Sequence, residues 1–176
     1  MAILTIAKLG NPVLRQIAST VDTRDIHTKD LQRFIDDLLE TMLDEPGIGL
    51  AAPQVSRSIQ LVVMGCEGDD GFPQTVLINP KIVFYGPQQV ENWEGCLSLD
   101  GLRGKVTRPS VVRVQALDRA GKSMDFEATG LYAVCIQHEM DHLIGKVFLD
   151  RMTDMSTLTQ LAEFDQYWRH DPVHAI

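Results

Sequence analysis

The chain has 176 residues, 44% of them hydrophobic and 23% charged, which is the ordinary composition of a globular domain with one sizeable core. Its net charge of −8, without a lysine and arginine cluster, argues against direct binding to nucleic acid. No apolar run approaches a membrane span and the N-terminus lacks signal-peptide features, so we expect no membrane association and a cytoplasmic location.

The first predicted element is a helix over residues 29–43. Its apolar residues recur at the helical period, and Thr28 is the expected N-cap. Pro46 and Gly47 end this helix. The segment 47–54, G-I-G-L-A-A-P-Q, follows as a small-residue loop or strand edge.

Several β-rich runs occupy the middle of the chain. The predicted strands cover residues 59–64, 75–78, 81–85, 111–117 and 122–128. Asn79 and Pro80 separate the second strand from the third, and Gly121 supplies the positive φ of the hairpin between the last two.

Two further helices are predicted in the last third, over residues 131–143 and over residues 155–169 with Asp154 as cap. Strands grouped in the middle with helices around them predict an α+β fold with mainly antiparallel sheets. We expect one catalytic domain over residues 1–176, packed around the central helix 131–143.

The central helix carries Q-H-E-M-D-H at residues 137–142. His138 and His142 are four residues apart, so their imidazoles share one helix face and can reach one metal ion. Glu139 stands beside the first histidine, where its carboxylate can take a proton from an activated water. A catalytic metal of this kind needs a third protein ligand.

The candidate third ligand is Cys96, in the segment E-G-C-L-S at residues 94–98. The chain has three cysteines, an odd number that argues against a disulfide framework. A thiolate together with two imidazoles is a ligand set of catalytic zinc or iron centres. Cys66 has the ordinary interpretation of an inert thiol.

The remaining candidates concern the substrate. The amide of Gln54 can donate to a developing oxyanion. An apolar wall of the site is expected from Ile48, Leu131, Val134 and Cys135. Glu94 and Arg103 are predicted to pair at the mouth of the pocket and to hold the substrate backbone.

The segments 47–54, 94–98 and 137–142 together resemble the three signature motifs of the peptide deformylases, in that family's order and spacing. The resemblance extends over nearly all of residues 1–152. It implies that Cys96, His138 and His142 are metal ligands and that Glu139 is the catalytic acid and base. It further implies that Gln54 and the backbone N–H of Leu97 donate to the oxyanion, and that Gly49 gives a backbone contact to the substrate.

The resemblance also implies an activity: removal of the formyl group from the N-terminal methionine of new polypeptides, with release of formate. The implied cofactor is one divalent metal ion, Fe(II) in the cell, with Zn, Ni or Co able to occupy the site. The implied partners are N-formylmethionyl nascent peptides and the ribosome near its exit tunnel, and the expected state is a monomer.

Two departures from the family pattern stand out. Asp100 occupies a position where many relatives have proline, which alters the charge of the pocket rim. Residues 150–176 hold five acids and two arginines, whereas some relatives end in a basic helix that docks on the ribosome. That docking mode is therefore not expected here.

Two alternatives are kept open by the residues alone. A zinc endopeptidase of the H-E-x-x-H type would take its third ligand downstream, from Glu163, His170 or His174. A non-enzymatic metal-binding or ribosome-associated module would need a fourth protein ligand, for which Asp141 is the candidate.

Overall fold

The computed structural model describes residues 2–68 and 71–169, and within these ranges it contains three α-helices and eight strands. The helices are α1 (Lys29–Asp44), α2 (Gly130–Leu143) and α3 (Leu161–Tyr167). The strands are β1 (Gly49–Ala51), β2 (Leu61–Cys66), β3 (Phe72–Tyr85), β4 (Gln89–Glu94), β5 (Leu102–Pro109), β6 (Val111–Leu117), β7 (Ser123–Thr129) and β8 (Thr159–Gln160). No helix in the described ranges is both long enough and apolar enough to cross a membrane.

The strands form two sheets with antiparallel pairing throughout. One sheet has the order β1-β2-β3-β6-β7, and the other has the order β4-β5-β8. The predicted α+β class with mainly antiparallel sheets is therefore confirmed.

The larger sheet is covered on both faces. Successive residues of β2 are apolar and belong to two different core clusters. Val62 and Met64 belong to the core cluster that contains α2, whereas Leu61 and Val63 belong to the cluster that contains α1. Neighbouring side chains of a strand point to opposite faces, so the two helices lie on opposite sides of this sheet.

Helix α2 is central in the fold. It contacts β1, β2, β6 and β7 of the larger sheet and β5 of the smaller one. Ten of its fourteen residues are buried, including every residue of the Q-H-E-M-D-H segment except Met140. A helix buried on nearly all sides must satisfy its polar side chains internally, which is what the site described below does.

The predicted N-cap of α1 is confirmed. Thr28 Oγ1 accepts a hydrogen bond from the N–H of Leu31 at 3.3 Å, and the helix continues to Asp44. The predicted hairpin between β6 and β7 is confirmed as well, with Gly121 at φ 75°.

The predicted break at Asn79-Pro80 is wrong, because β3 runs through it as one strand with a shift in register. Asn79 adopts φ 51°, and its side chain exchanges hydrogen bonds of 2.8 and 2.9 Å with the backbone of Val21. These bonds hold the irregular residue in place and allow the strand to continue.

The predicted helix over residues 155–169 is also wrong in its first part. Asp154 caps only a 3-10 turn, Met155–Thr157, by accepting from the N–H of Ser156. The chain then pairs with β5 as β8 before α3 begins. Strands β4 and β5 were not predicted, since their apolar alternation is interrupted by charged residues, of which Glu94 and Arg108 turn out to be buried as a pair.

Candidate active site

Cys96, His138 and His142 come together at one point between the two sheets. Cys96 follows β4 in the loop to β5, and the two histidines lie one turn apart on α2. Their ligand atoms all lie within 4.8 Å of one another, and Cys96 Sγ is 3.3 Å from His142 Nε2. The structure therefore brings together the three side chains that the sequence suggests as metal ligands.

The Cys96 thiol is in a setting that favours the thiolate. Burial alone raises its pKa, but the electrostatic influence of His142 and the hydrogen bond with His138 outweigh burial and hold the pKa of Cys96 well below its usual range. A thiolate is the form of cysteine that binds metal ions.

His138 is oriented by a buried carboxylate. Its Nδ1 lies 2.8 Å from Glu94 Oε2, which leaves Nε2 as the ring nitrogen available to a metal ion. Glu94 is 0% exposed and is held by Arg108, with Nε and Nη2 donating at 2.5 and 2.9 Å. The predicted pairing of Glu94 with Arg103 at the pocket mouth is therefore wrong, because Glu94 lies inside the protein behind His138.

The buried ion pair continues beyond Glu94. Arg108 Nη1 donates to Asp141 Oδ2 at 3.0 Å, and Asp141 also accepts from Nε and Nη2 of Arg151. Both oxygens of Asp141 are thus occupied by guanidinium groups. The use of Asp141 as a fourth metal ligand is excluded by these contacts.

Glu139 lies beside the three donors, and it is 4% exposed. Burial raises the pKa of Glu139 to about 7. Its Oε2 is buried and has no hydrogen-bond partner within the part of the chain that the structure describes. A carboxylate with a pKa near neutrality and a free oxygen can accept a proton from a water molecule and return it.

The Gln54 amide is oriented toward the same point. Its Oε1 accepts from the N–H of Ala51 at 2.7 Å, so the NH₂ group must face the site. That Nε2 lies 3.5 Å from Cys96 Sγ and 3.3 Å from Ser98 Oγ. The side-chain NH₂ group of Gln54 is therefore a hydrogen-bond donor directed at the site next to Cys96.

A cavity of about 180 Å³ opens from these residues to the surface. Beside Cys96, His138 and Glu139, its lining includes six residues singled out by sequence: Ile48, Gly49, Gln54, Leu97, Arg103 and Cys135. Within the described chain, Leu131 and Val134 do not belong to this lining. Val134 is 1% exposed and Leu131 packs against the core cluster of α2, so the wall expected from these two residues is not found.

Arg103 lies at the cavity, although without its expected partner. Its guanidinium is packed over Gly95, where an added Cβ would lie 1.9 Å from Nη1. Nη1 donates to the carbonyl of Leu102 at 3.0 Å. Half-burial lowers the pKa of Arg103, and the carboxylate of Asp165 opposes this effect.

The charge of Asp100 at the rim is partly compensated. Lys8 Nζ lies 2.7 Å from Asp100 Oδ1 and 2.9 Å from the carbonyl oxygen of Leu97. Sequence reasoning missed Lys8, as it missed Arg108 and Leu161. These residues are separated by many positions from the groups they meet, and no local pattern marks them.

The donor set fits a single divalent metal ion. One thiolate and two imidazoles converge, and Glu139 stands next to them with an Oε2 atom that has no hydrogen-bond partner in the described ranges. The downstream ligands of the endopeptidase alternative find no support. Glu163 is exposed on α3 and does not line the cavity, while His170 and His174 lie outside the described residues.

Comparison with known proteins gives a consistent result. The family model described as "Polypeptide deformylase" matches residues 3–157. The peptide deformylase of Azotobacter vinelandii is 46% identical over 155 residues, covering 88% of this chain and 90% of the relative. Peptide deformylase 1 of Bordetella pertussis is 41% identical over 157 residues, covering 86% of this chain and 88% of the relative.

Solved structures are similar over the same region. The class I type b peptide deformylase of Acinetobacter baumannii, with Met-Ala-Ser bound, superposes with a TM-score of 0.82 at 32% identity, covering 86% of this chain and 99% of that one. The Synechococcus elongatus peptide deformylase in complex with actinonin gives 0.81 at 42% identity, covering 93% of this chain and 85% of that one.

Proposed function

The chain belongs to the polypeptide deformylase family, and from this premise we propose that it removes the formyl group from the N-terminal formylmethionine of newly made polypeptides and releases formate. The observation that carries the proposal is the convergence of Cys96, His138 and His142 beside the buried Glu139, at the inner end of a cavity. Hydrolysis of a formamide needs an activated water, stabilisation of the tetrahedral oxyanion and a proton for the leaving amine.

Cys96, His138 and His142 would hold the metal ion, and Fe(II) is the ion proposed for the cell. Thiolate and imidazole donors also suit Zn, Ni and Co, so these ions can occupy the site in purified protein. A bound divalent ion supplies Lewis-acid chemistry to water and to the formyl carbonyl.

Glu139 moves the proton. Its pKa of about 7 lets the carboxylate accept a proton from the attacking water and, as the acid, deliver that proton to the departing amine nitrogen. The free Oε2 is the atom that meets the water, because it has no partner among the described residues.

Gln54 and the backbone N–H of Leu97 stabilise the oxyanion. The hydrogen bond from Ala51 fixes the Gln54 amide before substrate arrives, so its NH₂ needs no reorganisation when negative charge develops. Leu97 follows the ligand Cys96 directly, and both residues line the cavity.

The methionine side chain and backbone occupy the cavity. Ile48 and Cys135 provide apolar wall, Gly49 provides backbone polar groups, and Arg103 stands on the outer part. Formyl-Met peptides should react much better than formyl-Asp or formyl-Lys peptides, since an unpaired charge buried against this wall costs several kcal/mol.

The protein acts on nascent peptides in the cytoplasm, as a monomer that meets the ribosome near the exit tunnel. Residues 150–176 hold five acids and two arginines, so we do not propose this segment as the surface that meets the ribosome.

The deciding experiment uses protein purified without oxygen. Formate release from formyl-Met-Ala-Ser and metal content are measured on the same sample, for wild type, Cys96→Ser and the matched control Cys66→Ser. Wild type and Cys66→Ser should carry one metal ion per chain and release formate, whereas Cys96→Ser should lose both properties. No formate from metal-loaded wild type, or cleavage of internal peptide bonds instead, would overturn the proposal.

Oxygen distinguishes the proposed metal from its substitutes. Fe(II) beside a thiolate is open to oxidation, so activity should fade in air and be preserved in protein loaded with Ni or Co. Equal and air-stable turnover of the iron and zinc forms would argue against Fe(II).

A further inference from the structure

The outer wall of the cavity includes a residue that lies beyond the region matched by the family model. That match ends at residue 157, whereas Leu161, the first residue of α3, lines the cavity together with Asp100, Gly101 and Arg103. None of the motifs identified in the sequence includes this residue.

Backbone hydrogen bonds fix the position of Leu161. Strand β8 pairs antiparallel with the start of β5, with Gln160 opposite Leu102 and Thr159 opposite Arg103. The N–H of Leu161 donates to the carbonyl of Gly101 at 2.7 Å. Leu161 is therefore tied directly to the loop and strand that carry the other outer residues of the cavity.

Aromatic packing holds the helix that follows. Phe164 is 4% exposed, and its ring meets that of the buried Trp93 edge-on, with centroids 5.1 Å apart. The ring of Trp168 also packs against Trp93, with centroids 5.9 Å apart. Because Trp93 belongs to β4, α3 is anchored to the strand that leads to Cys96.

The cavity has a buried inner end and an exposed outer end. His138, Glu139 and Gln54 are buried, whereas Asp100 and Gly101 are exposed and Leu161 is half-buried. The formyl group must reach the inner end to react, so the residues that follow the methionine extend toward Leu161. Leu161 is the apolar residue of this outer group, which also includes the charged Asp100 and Arg103.

We propose that Leu161 is a specificity-determining residue that packs against an apolar side chain in the second or third position of a formylmethionyl peptide. This inference rests on the proposed function and adds a substrate preference to it. Leu161 is not a proposed metal ligand, proton carrier or oxyanion donor, so its effect appears in KM for peptides and leaves turnover of formylmethionine itself unaffected.

The test compares three substrates, formyl-Met, formyl-Met-Gly-Gly and formyl-Met-Leu-Leu, on metal-loaded wild type and Leu161→Ala. Removing a half-buried leucine contact should lower kcat/KM for the leucine peptide by roughly three- to ten-fold through KM, with formyl-Met and the glycine peptide unchanged. Leu158→Ala is the matched control, because Leu158 is a half-buried leucine of the same segment that does not line the described cavity. The Leu158→Ala variant should have the wild-type kcat/KM for all three substrates.

Leu161→Glu gives an independent measurement. It should weaken the reaction of formyl-Met-Leu-Leu and strengthen that of formyl-Met-Lys-Lys relative to wild type, because the introduced carboxylate faces the same peptide residues. Thermal unfolding of each variant reports whether it is folded. Equal effects on all substrates, or no effect in either variant, would overturn the inference. A metal-loaded wild type that releases no formate from any of them would instead overturn the proposed function.

Discussion

The position of the Glu139 carboxylate depends on a residue without a side chain. A Cβ added at Gly49 would lie 2.5 Å from Glu139 Oε1 and 2.8 Å from its Cδ, which is closer than real Cβ atoms come to any neighbour. Strand β1 can therefore pass against the carboxylate only because residue 49 is glycine. The main chain at this edge strand and the proposed proton carrier are fixed relative to each other.

Gly49→Ala should accordingly displace the Glu139 carboxylate. A shift of about 1 Å costs on the order of 10²-fold in turnover, so formate release should fall by about that factor while metal content stays at the wild-type level. Gly65→Ala is the control, because its Cβ would also be crowded, at 3.0 Å from the Cα of Gln74, but away from the cavity. Wild-type turnover in Gly49→Ala would contradict the placement.

Glu139→Gln removes the proton carrier and preserves its shape. Turnover should fall by roughly 10²- to 10⁴-fold or more, because proton transfer is lost in both steps, and the three ligands should still bind metal. Steady-state formate release and metal analysis measure the two effects. The exposed Glu163→Gln substitution on α3 should change neither, and near-normal activity in Glu139→Gln would remove this residue from the mechanism.

At the scale of elements, α2 is attached to the smaller sheet by a buried ionic network. Arg108 on β5 binds Glu94 on β4 and Asp141 on α2, and Glu94 in turn holds the His138 ring. Arg108 is 4% exposed, and its charge is matched by two carboxylates that are equally buried. The network orients one ligand and at the same time fixes the helix against the sheet.

Arg108→Ala should therefore be strongly destabilising. It leaves the carboxylates of Glu94 and Asp141 buried without their main partner, and such a loss costs about 3–5 kcal/mol of unfolding free energy. Urea unfolding measures the change. Arg113→Ala is the matched control, because Arg113 makes a similar two-point contact with Asp125 on the exposed face of β6 and β7 and should hardly alter the midpoint.

At the scale of the whole molecule, the candidate metal site joins the same parts of the fold that the buried ionic network connects. Cys96 follows a strand of the smaller sheet, while His138 and His142 belong to the helix packed on the larger sheet. An ion held by all three would cross-link these two layers in the folded state alone.

Removal of the metal with a chelator should therefore lower Tm. A loss of several kcal/mol corresponds to a shift of roughly 10 °C for a domain of this size, and it should reverse when the ion is returned. Differential scanning calorimetry with and without chelator measures it. Cys96→Ser should begin with the lower Tm and respond little to chelator, whereas identical Tm values for loaded and stripped wild type would show that no such cross-link exists.

Local patterns in the sequence predicted those features that depend only on residues close together in the chain. The period of α1 and its cap at Thr28 are local features, and both are confirmed. The spacing of His138 and His142 fixes their common face once α2 forms, and the structure brings Cys96 to them as the motifs suggest. Their role as ligands remains a prediction that the metal analysis above addresses.

Tertiary structure alone decided which distant groups meet. The sequence paired Glu94 with Arg103, but in the fold Glu94 is buried, accepts hydrogen bonds from Arg108 and lies against His138. Leu161 reaches the cavity only because a strand pair replaces the first part of a predicted helix. Both outcomes depend on hydrogen bonds and burial between segments far apart in the chain. The hydrophobic period of a single segment does not indicate which distant segment it will meet.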